Sequence, residues 1–196
     1  MQPETFYHIF NHANGAENLF RRDENYRYFL QQWAKYITPV AGTYAYCLMP
    51  NHIHFLIRTH PQTSKVSENL GGLKNQPFEK TLSQAFSNLF NSYTKAFNRM
   101  YDRRGSLFMQ NFKRKEITSD SYLTTIVNYI HRNPIHHGFC NHLEEWPHSS
   151  YTTFLGNKPT KIEKDYTLEW FNGKEGFIKY HREQQLLYDI SLLIDF

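Results

Sequence analysis

Residues 44–58 read Tyr-Ala-Tyr-Cys-Leu-Met-Pro-Asn-His-Ile-His-Phe-Leu-Ile-Arg. Two short apolar runs flank a Pro-Asn pair, and both of these residue types form turns, so the stretch predicts a β-hairpin. In its second strand His52 and His54 are two residues apart and therefore project from the same face. The opposite face carries three apolar residues that anchor the strand in the core, namely Ile53, Phe55 and Ile57.

Two imidazoles held side by side on a rigid strand form a good base for a divalent metal, because imidazole suits several transition metals. The chain also has 11 histidines among 196 residues, so one His-x-His pattern is expected by chance. From this pair alone, a metal site and a chance pattern both stay open.

Length and composition predict one domain with a substantial core. Aromatic residues make up 17% of the chain, and their rings both pack cores and stack on bases. The net charge of +4 is compatible with a nucleic-acid partner without requiring one.

Cys47 and Cys140 lie far apart in apolar contexts, so we expect two reduced, packed thiols with no disulfide and no cysteine-type zinc site. The N-terminal residues lack a basic segment followed by an apolar one. No apolar run approaches the roughly 18 residues of a membrane span. We therefore expect a cytoplasmic protein with no membrane partner.

The order of the predicted elements indicates the fold class. A strand over residues 5–12 precedes a helix over about 24–37, for which Asp23 is the expected cap, and the hairpin follows. Strand, helix, strand, strand begins a ferredoxin-like, split βαβ sandwich of the α+β class. We expect a central antiparallel sheet with helices packed mainly on one face.

Beyond the hairpin, a polar connector with Gly and Pro is expected to be a mobile loop, and three amphipathic helices follow. These segments are the connector at 59–80 and the helices at about 81–100, 122–133 and 174–194. Ser119-Asp120 is the expected cap of the helix at 122–133, and Pro134 is its expected end.

The segment 102–115 combines cations, rings and amides. Its basic residues flank Phe108 and Phe112 and comprise Arg103, Arg104, Lys113, Arg114 and Lys115. Charged residues alone usually form only a solvated face, whereas cations alternating with rings suit contact with a nucleic-acid backbone and its bases. Nucleic-acid contact and a solvated surface are the two interpretations.

Tyr129 and Asn133 lie four residues apart on the helix at 122–133, so they share a face beside its apolar stripe. Without further context, Tyr129 is better explained as a core tyrosine and Asn133 as a polar residue at the helix end.

Four motifs occur in order along the chain: Pro50-Asn51-His52-Ile53-His54, Gly105-Ser106-Leu107-Phe108 with Phe112-Lys113, Tyr129-Ile130-His131-Arg132-Asn133-Pro134, and Trp146-Pro147-His148-Ser149-Ser150-Tyr151. They resemble the HUH single-strand DNA transposases, and within that group the REP-associated, IS200-like tyrosine transposase branch. The resemblance runs from about residue 6 to 155. It predicts a transposase-like domain at 1–155. Residues 156–196 lie outside the resemblance, and their apolar spacing predicts a C-terminal extension with an amphipathic helix that packs on the same domain.

The resemblance implies a site and a reaction. His52 and His54 would be metal ligands, and Asn133 the third ligand, where insertion-sequence relatives carry Gln. Tyr129 would be the nucleophile, with Tyr122 as the alternative. The implied cofactor is one Mg²⁺ or Mn²⁺ ion, and the implied partner is single-stranded or hairpin DNA. The expected activity is DNA nicking and rejoining through a 5′-phosphotyrosine intermediate, by a monomer or a homodimer.

Two other functions stay open. The protein could bind hairpin DNA without turnover, or it could be a metal-dependent phosphoesterase in which His52 and His54 serve a water molecule. A protein–DNA adduct that survives denaturation separates the transposase from both.

Overall fold

The computed structural model describes residues 1–61 and 77–183 of the chain. The strands are β1 (Phe6–His12), β2 (Ala41–Leu48), β3 (His52–Thr59) and β4 (Lys113–Ile117). The helices are α1 (Asp23–Tyr36), α2 (Phe78–Met100), α3 (Ser121–His136), α4 (Tyr151–Leu155), α5 (Lys164–Glu169) and α6 (Lys174–Glu183), with a 3₁₀ turn at Leu143–Glu145. One antiparallel sheet joins the strands in the order β2-β3-β1-β4, which confirms the α+β class and the split βαβ arrangement.

The predicted hairpin is present and lies within β2 and β3. Leu48 pairs with Ile53 across it, and the amide of Met49 donates to the carbonyl of His52 at 2.8 Å, closing the turn that contains Pro50 and Asn51. Side chains alternate along β3 as expected: His52 and His54 lie on one face, and Ile53, Phe55 and Ile57 lie on the other.

The first face of the sheet is covered by α1 and α2. Trp33 of α1 stacks on Phe55 of β3, with ring centroids 3.5 Å apart, and its indole N–H donates to Thr43 Oγ1 at 2.9 Å. Tyr93 of α2 packs edge-on against Phe29 at 5.1 Å. Each large apolar side chain buried in this way stabilises the fold by roughly 1.5–3 kcal/mol.

The second face is covered by α3, with α4, α5 and α6 behind it. The predicted apolar stripe of α3 is buried and packs with Leu56 of β3 in a second core; its members are Leu123, Ile126, Val127 and Ile130. Helices therefore cover both faces of the sheet, where the sequence predicted mainly one. The reason is that both sets of alternating residues on β3 are buried, so each face needs its own layer.

Residues of the C-terminal extension bind α3 through a buried chain of hydrogen bonds. His181 Nδ1 lies 2.8 Å from the carbonyl oxygen of Phe177, so it carries the proton and leaves Nε2 as an acceptor. His131 Nδ1 lies 3.0 Å from that Nε2 and donates to it. The other ring nitrogen of His131 accepts from Ser150 Oγ at 2.8 Å. The His181 ring on α6 is thus bonded directly to His131 of α3, a residue that lies between Tyr129 and Asn133 in the sequence.

Two predicted helix boundaries are wrong. Asp23 is the first residue of α1 and not its cap; instead, Asn25 Oδ1 accepts the backbone N–H groups of Arg21 and Arg22 at 2.9 and 3.1 Å. Pro134 lies inside α3, which continues to His136. A proline removes only one backbone donor, and near a helix end the remaining turn tolerates that loss.

Parts of two predicted segments lie outside the described residues. Of the connector expected at 59–80, residues 62–76 are not described, and β3 extends to Thr59 while α2 begins at Phe78. The helix expected at 174–194 is described as α6 up to Glu183. Within 1–61 and 77–183, no helix is both long and apolar enough to cross a membrane.

Candidate active site

The candidate site lies between α3 and the second face of the sheet, where β1 and β3 pair. The antiparallel register places His12 opposite His52, and Phe10 opposite His54. Because directly paired residues share a face, the alternate residues of both strands point towards α3. The site therefore combines one strand that the sequence singled out with a second strand that it did not.

His52 connects the sheet to α3. Its Nε2 lies 2.8 Å from Asn133 Oδ1, and its Nδ1 lies 2.8 Å from Asn51 Oδ1. Burial lowers the pKa of His52 to about 4, so the ring is neutral at pH 7 and has a single N–H. One of its two nitrogens consequently faces an amide oxygen without a proton between them. Either one of the two amides, that of Asn51 or that of Asn133, turns its nitrogen towards the ring, or a cation lies between the unprotonated ring nitrogen and the amide oxygen that faces it.

His54 is fully buried beside His52, and burial lowers its pKa well below the usual value. Its Nδ1 lies 3.0 Å from His8 Nε2 on β1. Its Nε2 is buried and has no hydrogen-bond partner among the described residues. A buried polar atom left unpaired in this way costs about 1–3 kcal/mol, and in native proteins such an atom often marks a functional position.

Tyr129 projects from α3 against these imidazoles. Its ring packs edge-on to His54 at 5.6 Å and to His8 at 5.9 Å between centroids. The hydroxyl is buried with no hydrogen-bond partner in the described parts of the chain. Burial raises its pKa to about 12, an effect that the nearby Asn133 amide opposes. The phenol is therefore neutral at pH 7 and needs activation before it can act as a nucleophile.

Two further histidines extend the cluster towards solvent. His12 on β1 stacks on His52 with centroids 4.7 Å apart, and His137, at the end of α3, approaches the same ring at 4.7 Å. Burial lowers the pKa of each. His137 is exposed and His12 is half-buried, so they lie at the mouth of the site.

The residues present fit a divalent metal. In octahedral coordination with bonds of about 2.1 Å, neighbouring ligand atoms lie about 3 Å apart. The 2.8 Å separation of His52 Nε2 and Asn133 Oδ1 matches this spacing. His54 Nε2, which has no hydrogen-bond partner in the described parts of the chain, would supply a third donor. Neutral imidazoles are also the form that binds metals. No group of three or more His, Cys, Asp or Glu suited to a metal occurs within the described residues, and Asn133 Oδ1 is the further protein donor next to the two imidazoles.

Tyr122, the alternative nucleophile, is half-buried and packs against the second core. It lies seven residues before Tyr129, which corresponds to about 10 Å along the helix axis. Tyr129 is the tyrosine of α3 that contacts His54 and His8.

The five predicted DNA-binding cations fall into different environments. Arg103 is held within the protein, with guanidinium bonds to Asn98 Oδ1 at 2.9 Å and to the carbonyl of Ser106 at 2.8 Å and an ion pair with Glu17 at 3.4 Å. Arg104 is exposed. The remaining three lie on β4, an edge strand whose exposed side chains alternate between the two faces of the sheet; these are Lys113, Arg114 and Lys115.

Pairing of β4 with β1 decides which of these cations lie near the site. Lys113 pairs with Phe10 and Lys115 with His8, so both project on the face that carries the site histidines. Arg114 pairs with Ile9 and projects on the other face.

The two rings of the basic segment belong to the first core. Phe108 is only 5% exposed and packs against Phe90 at 4.7 Å, and Phe112 stacks on Phe86 at 4.4 Å. The ring of Phe108 therefore has no face on which a base could stack.

Sequence reasoning missed His8, His12 and His137. The first two share the two-residue alternation of β1 with Phe10, and this pattern was the available signal. His137 follows the predicted end of its helix, and its approach to His52 depends on the extension of α3 beyond Pro134.

Comparison with known proteins gives a consistent result. A candidate REP-associated tyrosine transposase from Haemophilus influenzae is 29% identical over 109 residues, which cover 56% of this chain. The matched region spans 58% of that relative's length. The solved structure of a REP-associated tyrosine transposase bound to a REP hairpin superposes with a TM-score of 0.61 at 14% identity, covering 83% of this chain and 92% of that one. This last likeness is one of fold. A family model described as transposase IS200-like matches residues 4–133, which is more than half of the chain and includes both site histidines, Tyr129 and Asn133, and on this basis the protein belongs to the IS200-like transposase family.

Proposed function

We propose that the protein nicks and rejoins single-stranded DNA, with Tyr129 as the nucleophile and hairpin-forming DNA as the substrate. The observation that carries this proposal is the position of the Tyr129 hydroxyl, which is buried next to two neutral imidazoles and near the Asn133 amide, and which forms no hydrogen bond of standard geometry within residues 1–61 and 77–183. A tyrosine that served only the core would be expected to place its hydroxyl where a hydrogen bond is available.

In the proposed reaction, Tyr129 Oη forms a bond to the scissile phosphorus, and the bond from phosphorus to the 3′ oxygen breaks. The phenol loses one proton and the departing 3′ oxygen gains one, so protons balance. The products are a 5′-phosphotyrosine and a free 3′-hydroxyl. The covalent intermediate keeps a phosphoester bond, so attack by a 3′-hydroxyl rejoins DNA without ATP.

His52, His54 and Asn133 would hold one divalent ion next to Tyr129. When bound, such an ion supplies charge stabilisation at the phosphate and at the departing oxygen. Two imidazoles are softer ligands than Mg²⁺ prefers, so we expect Mn²⁺ to bind more tightly than Mg²⁺.

The DNA backbone would approach along the β4 side of the site. Lys113 and Lys115 project on the same face as the site histidines and are exposed, which supports a role for both in binding backbone phosphates. The transposase of similar fold was solved in complex with a REP hairpin, and this supports hairpin DNA as the substrate class.

The decisive experiment is trapping of the covalent intermediate on hairpin-bearing single-stranded DNA. DNA labelled at its 3′ end should leave the label on the protein after denaturation, whereas DNA labelled at its 5′ end should release it. Tyr129→Phe should abolish the adduct and leave binding nearly intact, because only one hydroxyl is removed. Tyr122→Phe is the matched control from the same helix and should form the adduct normally.

Other outcomes assign other functions. DNA binding without cleavage by the wild-type protein would identify a hairpin-binding protein. Cleavage without an adduct, unaffected by Tyr129→Phe, would identify a phosphoesterase that activates water.

A further inference from the structure

His8 contacts the proposed metal ligand His54 from the neighbouring strand. It lies in the middle of β1, is 1% exposed, and places its Nε2 3.0 Å from His54 Nδ1. The two rings are nearly parallel, with an interplanar angle of 18° and centroids 5.1 Å apart. Phe10 stacks on His8 at 5.0 Å, and Tyr129 meets its edge at 5.9 Å, so the ring of His8 is held on two sides.

A hydrogen bond between two ring nitrogens needs one N–H and one lone pair, so only two arrangements are available. If His54 donates from Nδ1, its Nε2 carries a lone pair and can bind a cation. If His8 donates from Nε2, the proton of His54 is on Nε2 and that atom cannot bind a metal. The acceptor or donor role of His8 therefore decides whether His54 can be a ligand.

The surroundings of the pair favour the first arrangement once a cation is present. The outer nitrogens, His8 Nδ1 and His54 Nε2, are both buried without a partner among the described residues. In either arrangement the pair alone leaves one outer N–H and one outer lone pair unpaired. A cation at His54 Nε2 satisfies the lone pair there, and this is possible only when His8 accepts.

We propose that His8 is a positioning residue that accepts the Nδ1 proton of His54, thereby fixing the tautomer and ring orientation in which His54 Nε2 binds the divalent ion. This inference rests on the proposed function, since it assumes that His54 is a metal ligand. It adds a residue that lies outside the four motifs of the chain, and it gives β1 a role in the chemistry of the site. Outer residues that hold a ligating histidine in this way typically change metal affinity about 10–100-fold when they are removed.

The test uses Mn²⁺ alone as the probe, with affinity measured by calorimetry on the full chain. His8→Leu should weaken Mn²⁺ binding about 10–100-fold, because leucine cannot accept the proton. His8→Gln, which retains an acceptor oxygen, should recover most of the affinity. Phe6→Leu is the matched control, since Phe6 lies on the same face of β1 two residues before His8 and packs on Tyr44 and Trp170, with centroids 4.9 and 5.5 Å apart. It should bind Mn²⁺ within a few-fold of wild type.

A second measurement needs no variant. The wild-type protein is stripped of metal and then loaded with Zn²⁺ as a diamagnetic probe. Nitrogen-15 NMR of this zinc-loaded protein should show the proton of His54 on Nδ1 and none on Nε2. A proton on Nε2 under these conditions would overturn the proposal even if His8→Leu failed to fold.

The outcomes separate this inference from the proposed function. If the wild type binds Mn²⁺ and His8→Leu binds it equally well, His8 is a packing residue and only the inference fails. If the wild type binds no Mn²⁺ at millimolar concentration, the metal site itself is absent and the inference fails with it. Adduct formation by Tyr129 is scored separately in either case.

Discussion

The buried histidine of α6 should make folding stability depend on pH. His181 is 0% exposed, and burial lowers its pKa to about 4, with the Arg132 charge acting in the same direction and the hydrogen bond to the Phe177 carbonyl opposing. In an unfolded chain a histidine titrates near 6.5. Between about pH 6.5 and pH 4 the unfolded state therefore binds a proton that the folded state does not, so stability falls as the pH falls through this window.

The magnitude follows from that difference. A gap of about 2.5 in pKa corresponds to about 3.4 kcal/mol once the pH is below both values. At pH 5 the contribution of this one imidazole is about 2 kcal/mol of lost stability. Four titratable or charged side chains lie against it. His131 on α3 bonds its Nε2, Arg132 bonds its backbone carbonyl, and the rings of Tyr151 and Tyr180 contact its ring.

The perturbation that isolates this effect is His181→Gln. Glutamine retains an acceptor for the His131 N–H, so at pH 7.5 the variant should lose only about 1–2 kcal/mol. It lacks the titrating ring, so at pH 5 the gap between variant and wild type should shrink by about 2 kcal/mol. Urea unfolding followed by tryptophan fluorescence at pH 7.5, 6 and 5 measures both quantities.

The matched control is Asn157→Gln, which changes an exposed side chain that carries no titrating group and should run parallel to the wild type. If the free energy of unfolding of His181→Gln also runs parallel to that of the wild type from pH 7.5 to pH 5, the reasoning is refuted. The ring would then be protonated, or already solvated, in the folded protein.

Three other substitutions test the structure at separate points. Tyr129→Phe should leave stability unchanged or raise it by about 1 kcal/mol in urea unfolding, because it removes a buried hydroxyl that has no hydrogen-bond partner among the described residues. A clear loss of stability would reveal a hydrogen bond. Arg104→Ala should flatten the salt dependence of single-strand DNA binding by about 0.7 in log–log slope. Arg103→Ala should mainly lower the melting temperature, because its guanidinium is bonded within the protein. The reverse pattern would make Arg103 the DNA contact and Arg104 the structural residue. Gly176→Ala should destabilise the protein by about 1–3 kcal/mol or more, since a Cβ there would lie 1.7 Å from the Phe171 carbonyl oxygen; wild-type stability would show that α6 shifts freely.

The local parts of the fold could be predicted from the sequence. The hairpin follows from its Pro-Asn turn and two-residue alternation, and the apolar stripe of α3 follows from three- and four-residue spacing. These patterns depend on neighbours within one element, so no knowledge of the rest of the chain was needed. The boundary at Pro134 was predicted wrongly because the propensity of one residue was opposed by the packing of the whole helix.

The basic segment shows where local pattern stops being informative. In the sequence, nothing distinguishes a buried cation or ring of this segment from an exposed one. In the structure, Arg103 is bonded to Asn98 and to a loop carbonyl, and Phe108 is in the core. Whether a side chain faces solvent or another element depends on how segments pack, and composition does not record that.

By itself, the sequence determined the two imidazoles on one face of a strand and the tyrosine and amide on one face of a helix, because each pair lies within a single regular element. The tertiary structure alone decided that these two pairs meet, with His52 at 2.8 Å from Asn133. It also decided that His8 bonds His54 across 46 residues of chain, and that Lys113 and Lys115 share the face of the site while Arg114 does not. The physical reason is strand register. A shift by one residue between β1 and its neighbours would turn His8, His12 and the lysines to other partners, and the buried contacts of the whole sheet set that register.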